Sequence, residues 1–473
     1  MKLLPFFALA YVLLFLYNRQ TKEMMKMMTL PKGALFVLDS LTRAGYAAYA
    51  VGGCVRDALM GHTPGDYDIC TSALPEEMQQ VFRGCHVVET GLQHGTLTVV
   101  VDHVPYEVTT FRVDGEYTDH RHPDSVHFVS DVTEDLARRD FTVNAMAYHP
   151  DKGLVDPFGG REDLANKVIR CVGDAPSRFQ EDALRILRAL RFASTKQFTI
   201  EETTSQAARA LSSTLEGVAA ERIRVEIAKL LCGAGCGDIL REYHDVLCVC
   251  LPQLTGMKGF DQHNPPHMHD LWEHTVRAVE SVPPVESLRL AMLLHDVGKM
   301  ETFALDENGV GHMYQHASRS LAIAQAVADR LKLDRATAET VELLVAYHDI
   351  ELTSDPRLLK RRLNRFGEEH LRQLIDVQHA DRLATGTLSA DESAAIRSSL
   401  ITALDSLLAQ APCFTLKSLA VNGRDMMQLG LKGPAVGSML NRLLEYVMDE
   451  IIPNEKEALL AAAQRFTQEA YQK

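Results

Sequence analysis

GGCVRDALMGHTPGDYDI, residues 52–69, decides the fold. An apolar run, YAAYA, leads into Gly52 and Gly53. A glycine pair there marks a strand-to-helix turn where backbone can approach a ligand closely. The helix that follows would point its first N–H groups at phosphate, and Arg56 is placed to add a charged hydrogen bond. Beyond the helix lies Asp66-x-Asp68. If DYDIC is a strand, positions i and i+2 share a face. Two carboxylates on one face repel unless a cation sits between them. Oxygen-only ligands beside phosphate point to Mg²⁺. On its own, such a pair is more commonly the polar side of an edge strand.

Outward from this stretch, residues 33 to 172 read as α/β. ALFVLDSLTRAG (34–45) has helical spacing, and GTLTVVVD, YEVTTFRV and SVHF read as strands. Glu107, in YEVTTFR, is a third carboxylate on an apolar strand. Three converging acids would hold two ions, one activating the attacking hydroxyl and one stabilising the departing pyrophosphate. Beyond 175 the apolar spacing is of the 3.6-residue type nearly to the end. The fold class expected is α+β: a small mixed-sheet head followed by an all-α body. LCGAGCGD (231–238) and GFDQHNPPHMHD (259–270) read as joints.

The chain has 473 residues, enough for several domains, and a formal net charge of −14. That charge argues against non-specific coating of nucleic acid. Two windows are locally basic: 178–192 has four Arg against two acids, and 357–365 has five basic residues and no acid. The nine Cys are scattered without a paired framework and read as thiols of a reducing compartment. Residues 3–17 are apolar but shorter than the roughly 20 residues that span a bilayer. No cleavage site follows them. With candidate start residues at Met24, Met25, Met27 and Met28, residues 1–28 read as an over-extended reading frame. The expected location is cytoplasmic, without stable membrane association.

GG-x-VRD…D-x-D is followed in order by HGT (94–96), TTFR (109–112), DGEYTDHRHPDSVHF (114–128), ARRDFTVNAMA (137–147), DPFGG (156–160) and EDALRILRALRF (181–192). This series closely resembles the polymerase-β-like nucleotidyltransferases of the bacterial and eukaryotic CCA-adding class. The resemblance implies a head over 29–172, a helical neck over 173–258, a body over 259–390 and a tRNA-binding tail over 391–473. It implies Mg²⁺ on Asp66 and Asp68 with Glu107 assisting. Nucleotide contacts fall to Gly53, Arg56, Arg139, Arg188 and Arg191. The partners implied are tRNA, CTP and ATP.

Asp182 and Arg185 are i, i+3 and would be neighbours on a helix. Cytosine and adenine each offer an amine donor beside a ring-nitrogen acceptor; uracil and guanine offer the reverse. A carboxylate only accepts and a guanidinium only donates. The pair therefore suits C and A, and the resemblance assigns it that templating role. Family members that add only CC tend to lack the 114–128 segment, and poly(A) polymerases tend to carry basic extensions. This chain keeps the former and lacks the latter, which favours full CCA addition over A-only or poly(A) tailing.

A second constellation runs from 269 to 381. His274, His295, Asp296 and Asp381 follow the H…HD…D order of HD phosphohydrolases. His316 and His348 fit the extra ligands of two-metal versions. Imidazole and carboxylate together favour a transition metal such as Ni²⁺, Co²⁺ or Mn²⁺. Lys299 could contact phosphate. In LAVNGRDMMQLGLKGPAVGSMLNRLLEYV (419–447) the glycines suggest a tight helix–turn–helix. Two other readings stay open: an HD phosphohydrolase with an RNA-binding head, and a membrane-tethered RNA-binding protein resting on residues 3–17.

Overall fold

The computed structural model of the protein describes residues 28–92, 95–115, 125–264, 269–410 and 413–471. The apolar N-terminal run, His94 of HGT and residues 116–124 of the segment 114–128 lie outside them. The chain divides into two compact units, Met1–Pro252 and Gln253–Lys473.

The first unit is built on β1 (Ala48–Val51), β2 (Asp68–Thr71), β3 (His86–Gly91), β4 (Thr96–Val101), β5 (Val104–Thr110), β6 (Arg112–Asp114), β7 (Val126–Phe128), β8 (Ala147–His149) and β9 (Gly153–Val155). Seven of these form one mixed sheet in the order β3-β4-β5-β2-β1-β8-β9; β6 and β7 pair separately. β2 and β5 run parallel, and the other pairs are antiparallel. Alternation in β5 buries Tyr106, Val108 and Thr110 and leaves Glu107 exposed. Helix α1 (Lys32–Arg43) lays Val37, Leu38 and Leu41 on the face formed by Ala50, Ile69, Leu97, Val99 and Val108. Each such fully buried aliphatic side chain contributes about 1.5–3 kcal/mol.

Helices complete this unit. The most informative is α2 (Leu184–Lys196), which buries Ile186, Leu187, Leu190 and Phe192. The sequence 181–192 reads as one helix, but the structure breaks it. Ala175–Glu181 is a separate helix, and Asp182 between the two is extended, with φ −141° and ψ 103°. The side chain of Asp182 accepts a hydrogen bond from the Leu184 N–H at 3.1 Å, a local alternative that Asp offers more readily than most residues. The 231–238 turn is not a joint: the Gly235 N–H bonds the Ser194 carbonyl at 2.9 Å, docking the turn on α2. The division into units falls after Pro252, ahead of the joint expected at 259.

The second unit is mostly helical. It includes α3 (Leu271–Ser281), α4 (Glu286–Leu294), α5 (His316–Arg330), α6 (Arg335–Tyr347) and α7 (Pro356–Thr385). An antiparallel hairpin, Phe303–Leu305 with Gly311–Met313, interrupts the helices where only helix was expected. Toward the C-terminus, Gly423–Gln428 and Pro434–Met448 flank a turn in which Gly430 and Gly433 have positive φ, in line with the helix–turn–helix reading. Among the described residues, no helix is long and apolar enough to cross a membrane.

Candidate active site and histidine–aspartate centre

In the first unit, β1 ends at Val51 and Gly52 turns the chain at φ 76° and ψ −127°. A Cβ on Gly52 would lie 2.9 Å from Arg139 Nη1, so the glycine is needed for both backbone and space. The helix that follows, Gly53–Leu59, is only seven residues long. Asp68 opens β2, whereas Asp66 precedes the strand, contrary to the expected shared strand face. Ile69 pairs with Val108 in the parallel register, which sets Asp68 and Glu107 beside each other, both exposed while their neighbours are buried.

The electrostatics bear this proximity out. Protein packed around the Asp68 carboxyl, with the charges of Asp66 and Glu107, pushes its pKa up to about 6 despite nearby Arg139. Three carboxylates are oxygen-only donors of the kind a hard divalent ion takes, but in this structure their ligand atoms do not all lie within 4.8 Å of one another. Arg139 is ion-paired with Asp135 at 3.4 Å. Its buried Nε has no hydrogen-bond partner among the described residues.

Arg56, Arg188 and Arg191 gather around Phe192, with guanidinium carbons 5.2, 5.5 and 3.9 Å from the ring centroid. Each is fixed by an acid that the sequence reading did not single out. Arg56 forms a fork on Asp57 at 2.9 and 3.0 Å and donates to Asn144 Oδ1 at 2.5 Å. Arg188 binds Asp140 at 2.6 Å, and Arg191 meets Glu226 at 2.7 Å. Burial opposes ionisation of Asp140, but Arg188, Asn144 and Arg185 prevail and hold its pKa at about 2.

The Arg185 N–H bonds the Asp182 carbonyl at 3.0 Å, but the two side chains are not partners of one another here. Asp182 Oδ2 accepts from Arg222 at 2.8 Å. Arg185 donates to Glu181 at 2.6 Å and to the carbonyls of Arg178 and Arg138 at 3.2 and 3.1 Å. The basic window 178–192 is thus neutralised locally, by Glu181, Asp140 and Glu226. The window 357–365 is similarly engaged: Lys360 binds Glu450 and Arg361 binds Asp449.

In the second unit, His274 on α3, His295 and Asp296 after α4, and Asp381 on α7 bring one ligand atom each within 4.8 Å of one another. Asp296 also joins a second such group with His316 and His348. His274 Nε2 lies 3.1 Å from both Asp296 Oδ2 and Asp381 Oδ1. On the other side, Asp296 Oδ1 is 3.3 Å from His316 Nε2 and 3.7 Å from His348 Nε2.

The Nδ1 atoms of three of these histidines face carbonyls. His295 meets Met292 O at 2.7 Å, His316 meets Met313 O at 3.0 Å, and His348 meets Val345 O at 2.8 Å. That backbone contact fixes the tautomer and turns Nε2 inward, as expected of imidazole metal ligands. Burial opposes protonation of His295, yet Asp296 and Asp381 carry its pKa up to about 10. The mixed nitrogen and oxygen donors suit a divalent transition ion. Lys299 Nζ bonds Asp296 Oδ2 at 2.6 Å and Gln262 Oε1 at 3.1 Å, so it holds a carboxylate of the centre. Gly298 permits the start of α5 to close in: a Cβ there would meet Ser320 N at 2.6 Å and His316 O at 2.8 Å.

Comparison with known proteins agrees with the head-first layout. The family described as "Poly A polymerase head domain" matches residues 48–170. The family "Probable RNA and SrmB- binding site of polymerase A" matches 197–245, and a tRNA nucleotidyltransferase domain 2 family matches 313–463. The CCA-adding enzyme of Levilactobacillus brevis is 35% identical over 431 residues, 90% of this chain and 96% of that protein. The CCA-adding enzyme of Lactiplantibacillus plantarum is 34% identical over 426 residues, 90% of this chain and 93% of its own length. The crystal structure of the Bacillus stearothermophilus CCA-adding enzyme in complex with CTP superposes with a TM-score of 0.71 at 30% identity, covering 93% of this chain and 98% of that one. With its sheet-and-arginine head and this near full-length similarity, the chain belongs to the CCA-adding enzymes, a family of tRNA nucleotidyltransferases.

Proposed function

We propose that this chain adds C, C and A in turn to the 3′ end of tRNA, from CTP and ATP and without a nucleic-acid template. The observation that carries the reading is the pair of exposed carboxylates on adjacent strands β2 and β5, Asp68 and Glu107, with Asp66 just ahead of β2 and Arg139 nearby. Acids suit divalent ions, and a guanidinium suits the triphosphate those ions accompany. Mg²⁺ bound there would supply charge neutralisation in an in-line phosphoryl transfer. The protein's part is positioning: Asp68 and Glu107 are locked by strand register, and Arg56 by its fork on Asp57. The relative from Bacillus stearothermophilus was solved with CTP, which supports a nucleotide site in this chain. Incubating the protein with tRNA lacking its 3′ end, Mg²⁺ and each NTP singly or together, then sequencing the products, tests the assignment. Extension by U or G, or long A tails, would overturn it.

Base choice falls to Asp182 and Arg185, with Arg222 holding Asp182. A carboxylate has about four lone-pair sites, so Asp182 can keep Arg222 on Oδ2 and the Leu184 N–H on Oδ1 and still accept a base amine. Arg185, held by Glu181 and two carbonyls, retains N–H groups for a ring nitrogen. Asp182→Ala removes the acceptor. The preference for CTP over UTP should drop at least about tenfold, because the wrong base no longer meets a like partner in a half-buried pocket. Competition assays with product sequencing measure this; a slower variant of unchanged selectivity would exclude Asp182 as the reader.

A second activity has independent support in the His274–His295–Asp296–Asp381 and Asp296–His316–His348 groups, which follow the HD order and, within each group, have ligand atoms within 4.8 Å of one another. A divalent Ni²⁺, Co²⁺ or Mn²⁺ ion held there would supply an activated water for phosphate-ester hydrolysis. A 2′,3′-cyclic or terminal phosphate on damaged RNA is the fitting substrate, since it blocks the hydroxyl that the head must extend. The domains follow accordingly: head 29–172, neck 173–258, HD body 259–390 and tRNA-binding tail 391–473, in a cytoplasmic enzyme.

A further inference from the structure

The hairpin of the second unit carries two aromatic rings, His312 and Tyr314, two residues apart. The rings are parallel, with 3° between their planes and centroids 5.3 Å apart, the geometry of an offset stack. His312 is braced from behind. Its Nε2 meets Asp306 Oδ2 at 3.1 Å, and Asp306 Oδ1 accepts from the N–H groups of Asn308 and Val310, each at 2.9 Å. Tyr314, by contrast, is 73% exposed. The stack therefore presents one supported ring and one open π face.

The position of that face matters. Within the histidine–aspartate centre, the side chains of His274, His295, Asp296 and His348 are 1–2% exposed, whereas His316 is 17% and Asp381 31% exposed. Solvent reaches the centre past His316 and Asp381. Tyr314 lies two residues before His316, the two Cα atoms being at most ~7 Å apart, so its ring stands on the same short stretch of chain as a partly exposed residue of the centre. The hairpin is also tied to the centre. The Gly311 N–H bonds His263 O at 2.8 Å, Phe260 packs edge-on against Phe303 at 5.3 Å, and neighbouring Gln262 accepts from the same Lys299 that holds Asp296.

From this arrangement we infer that Tyr314, braced by His312, is a stacking platform for the base of a nucleoside phosphate ester whose phosphate binds at the histidine–aspartate centre. The inference rests on the phosphoesterase reading and names its substrate class: esters that carry a base, over those that do not. Stacking tolerates any base, because every base has a π face. Such a platform makes the site a reader of nucleotides without making it a reader of sequence.

The test uses the full chain loaded with Ni²⁺, Co²⁺ or Mn²⁺, comparing wild type, Tyr314→Ala and Tyr314→Trp. Substrates are adenosine 2′,3′-cyclic phosphate, a short RNA ending in the same group, and base-free glycerol 1,2-cyclic phosphate. Tyr314→Ala should raise KM for the adenosine ester about tenfold, with kcat within about twofold. Glycerol cyclic phosphate kinetics should be unmoved, and Tyr314→Trp should restore the nucleotide KM. A lower KM for the RNA than for the mononucleotide identifies RNA ends as the source; the opposite identifies free nucleotides. Calorimetric binding of adenosine 3′-phosphate gives a readout separate from turnover, and Tyr314→Ala should weaken it by the same factor. If wild type hydrolyses no ester with any of the three ions, the phosphoesterase reading fails, and the binding comparison alone decides the platform. Equal KM and equal Kd in wild type and Tyr314→Ala would overturn the inference.

Discussion

Replacing Asp68 by alanine is expected to lower nucleotide addition by on the order of 10³-fold or more, with the fold unchanged, because several kcal/mol of charge stabilisation depends on the ions this carboxylate would hold. Asp68 stands at the start of β2, exposed, with its neighbour Ile69 buried. Its side chain makes no contribution to the apolar core. Removing it also removes a carboxyl whose pKa is pushed up to about 6, first by the protein packed around it and then by repulsion from Asp66 and Glu107. Stability should therefore hold or rise slightly. The sign follows from linkage: a carboxyl whose folded pKa is raised above its unfolded value costs stability once pH exceeds the unfolded value. The decisive comparison is single-turnover extension of tRNA ending before CCA, set against thermal unfolding of the same preparation. Normal incorporation by Asp68→Ala would remove the β2 edge from the reaction. A large fall in melting temperature would instead make Asp68 structural.

Much of this site could be read from residue order, and what could not has a physical cause. β5 declares itself by alternation and places Glu107 on a strand, whereas β2 is a short run with Ile69, Cys70 and Thr71 all buried behind Asp68. β3 (His86–Gly91) escaped notice because HVVETG is short, polar at its end and defined mainly by its pairing with β4. The break at Asp182 was hidden for the opposite reason. Apolar spacing continues across it, and helical periodicity says nothing about one residue whose side chain bonds the next turn's backbone. The hairpin 303–313 hides in ALDENGVGHM, where turn residues are as many as apolar ones and the apolar runs on either side are very short. The acids that position the arginines, Asp57, Asp140 and Glu226, carry no local signal: Asp140 and Arg188 are 48 residues apart in sequence. By contrast the histidine–aspartate residues were all named from their order. What order could not supply is their support, the carbonyls of Met292, Met313 and Val345, because any residue type furnishes a carbonyl.

That support is the reason to expect a clean separation of two activities. His295→Ala together with Asp296→Ala should reduce phosphoester hydrolysis to background, at least about 10³-fold, since Asp296 belongs to both ligand groups and His295 to one. Addition of CCA to an unblocked tRNA should be unaffected, because none of the catalytic or nucleotide-binding residues proposed for it lies beyond Pro252 and the proposed tRNA-binding tail begins only at 391. Asp296 is buried, with His295, Lys299 and His274 holding its pKa well below the ordinary carboxylate range against the cost of burial. Taking away one member alone would strand its partners' charge, so the paired substitution is the better probe; a leftover Lys299 can still turn to Gln262. Binding gives a readout independent of turnover: a divalent transition ion bound only by the folded protein raises melting temperature in proportion to its affinity and concentration. Wild type should be stabilised by Ni²⁺, Co²⁺ or Mn²⁺, and the double variant should not. A tRNA ending in 2′,3′-cyclic phosphate then joins the two readings. Wild type should open the ring with one water and release the resulting monophosphate as inorganic phosphate with a second, then extend the freed 3′ hydroxyl, whereas the variant should extend this tRNA only after a separate cyclic phosphodiesterase and phosphatase have acted. Extension of the blocked tRNA by the variant at the wild-type rate, or metal stabilisation that survives both substitutions, would reduce this centre to a packing element of the helical body.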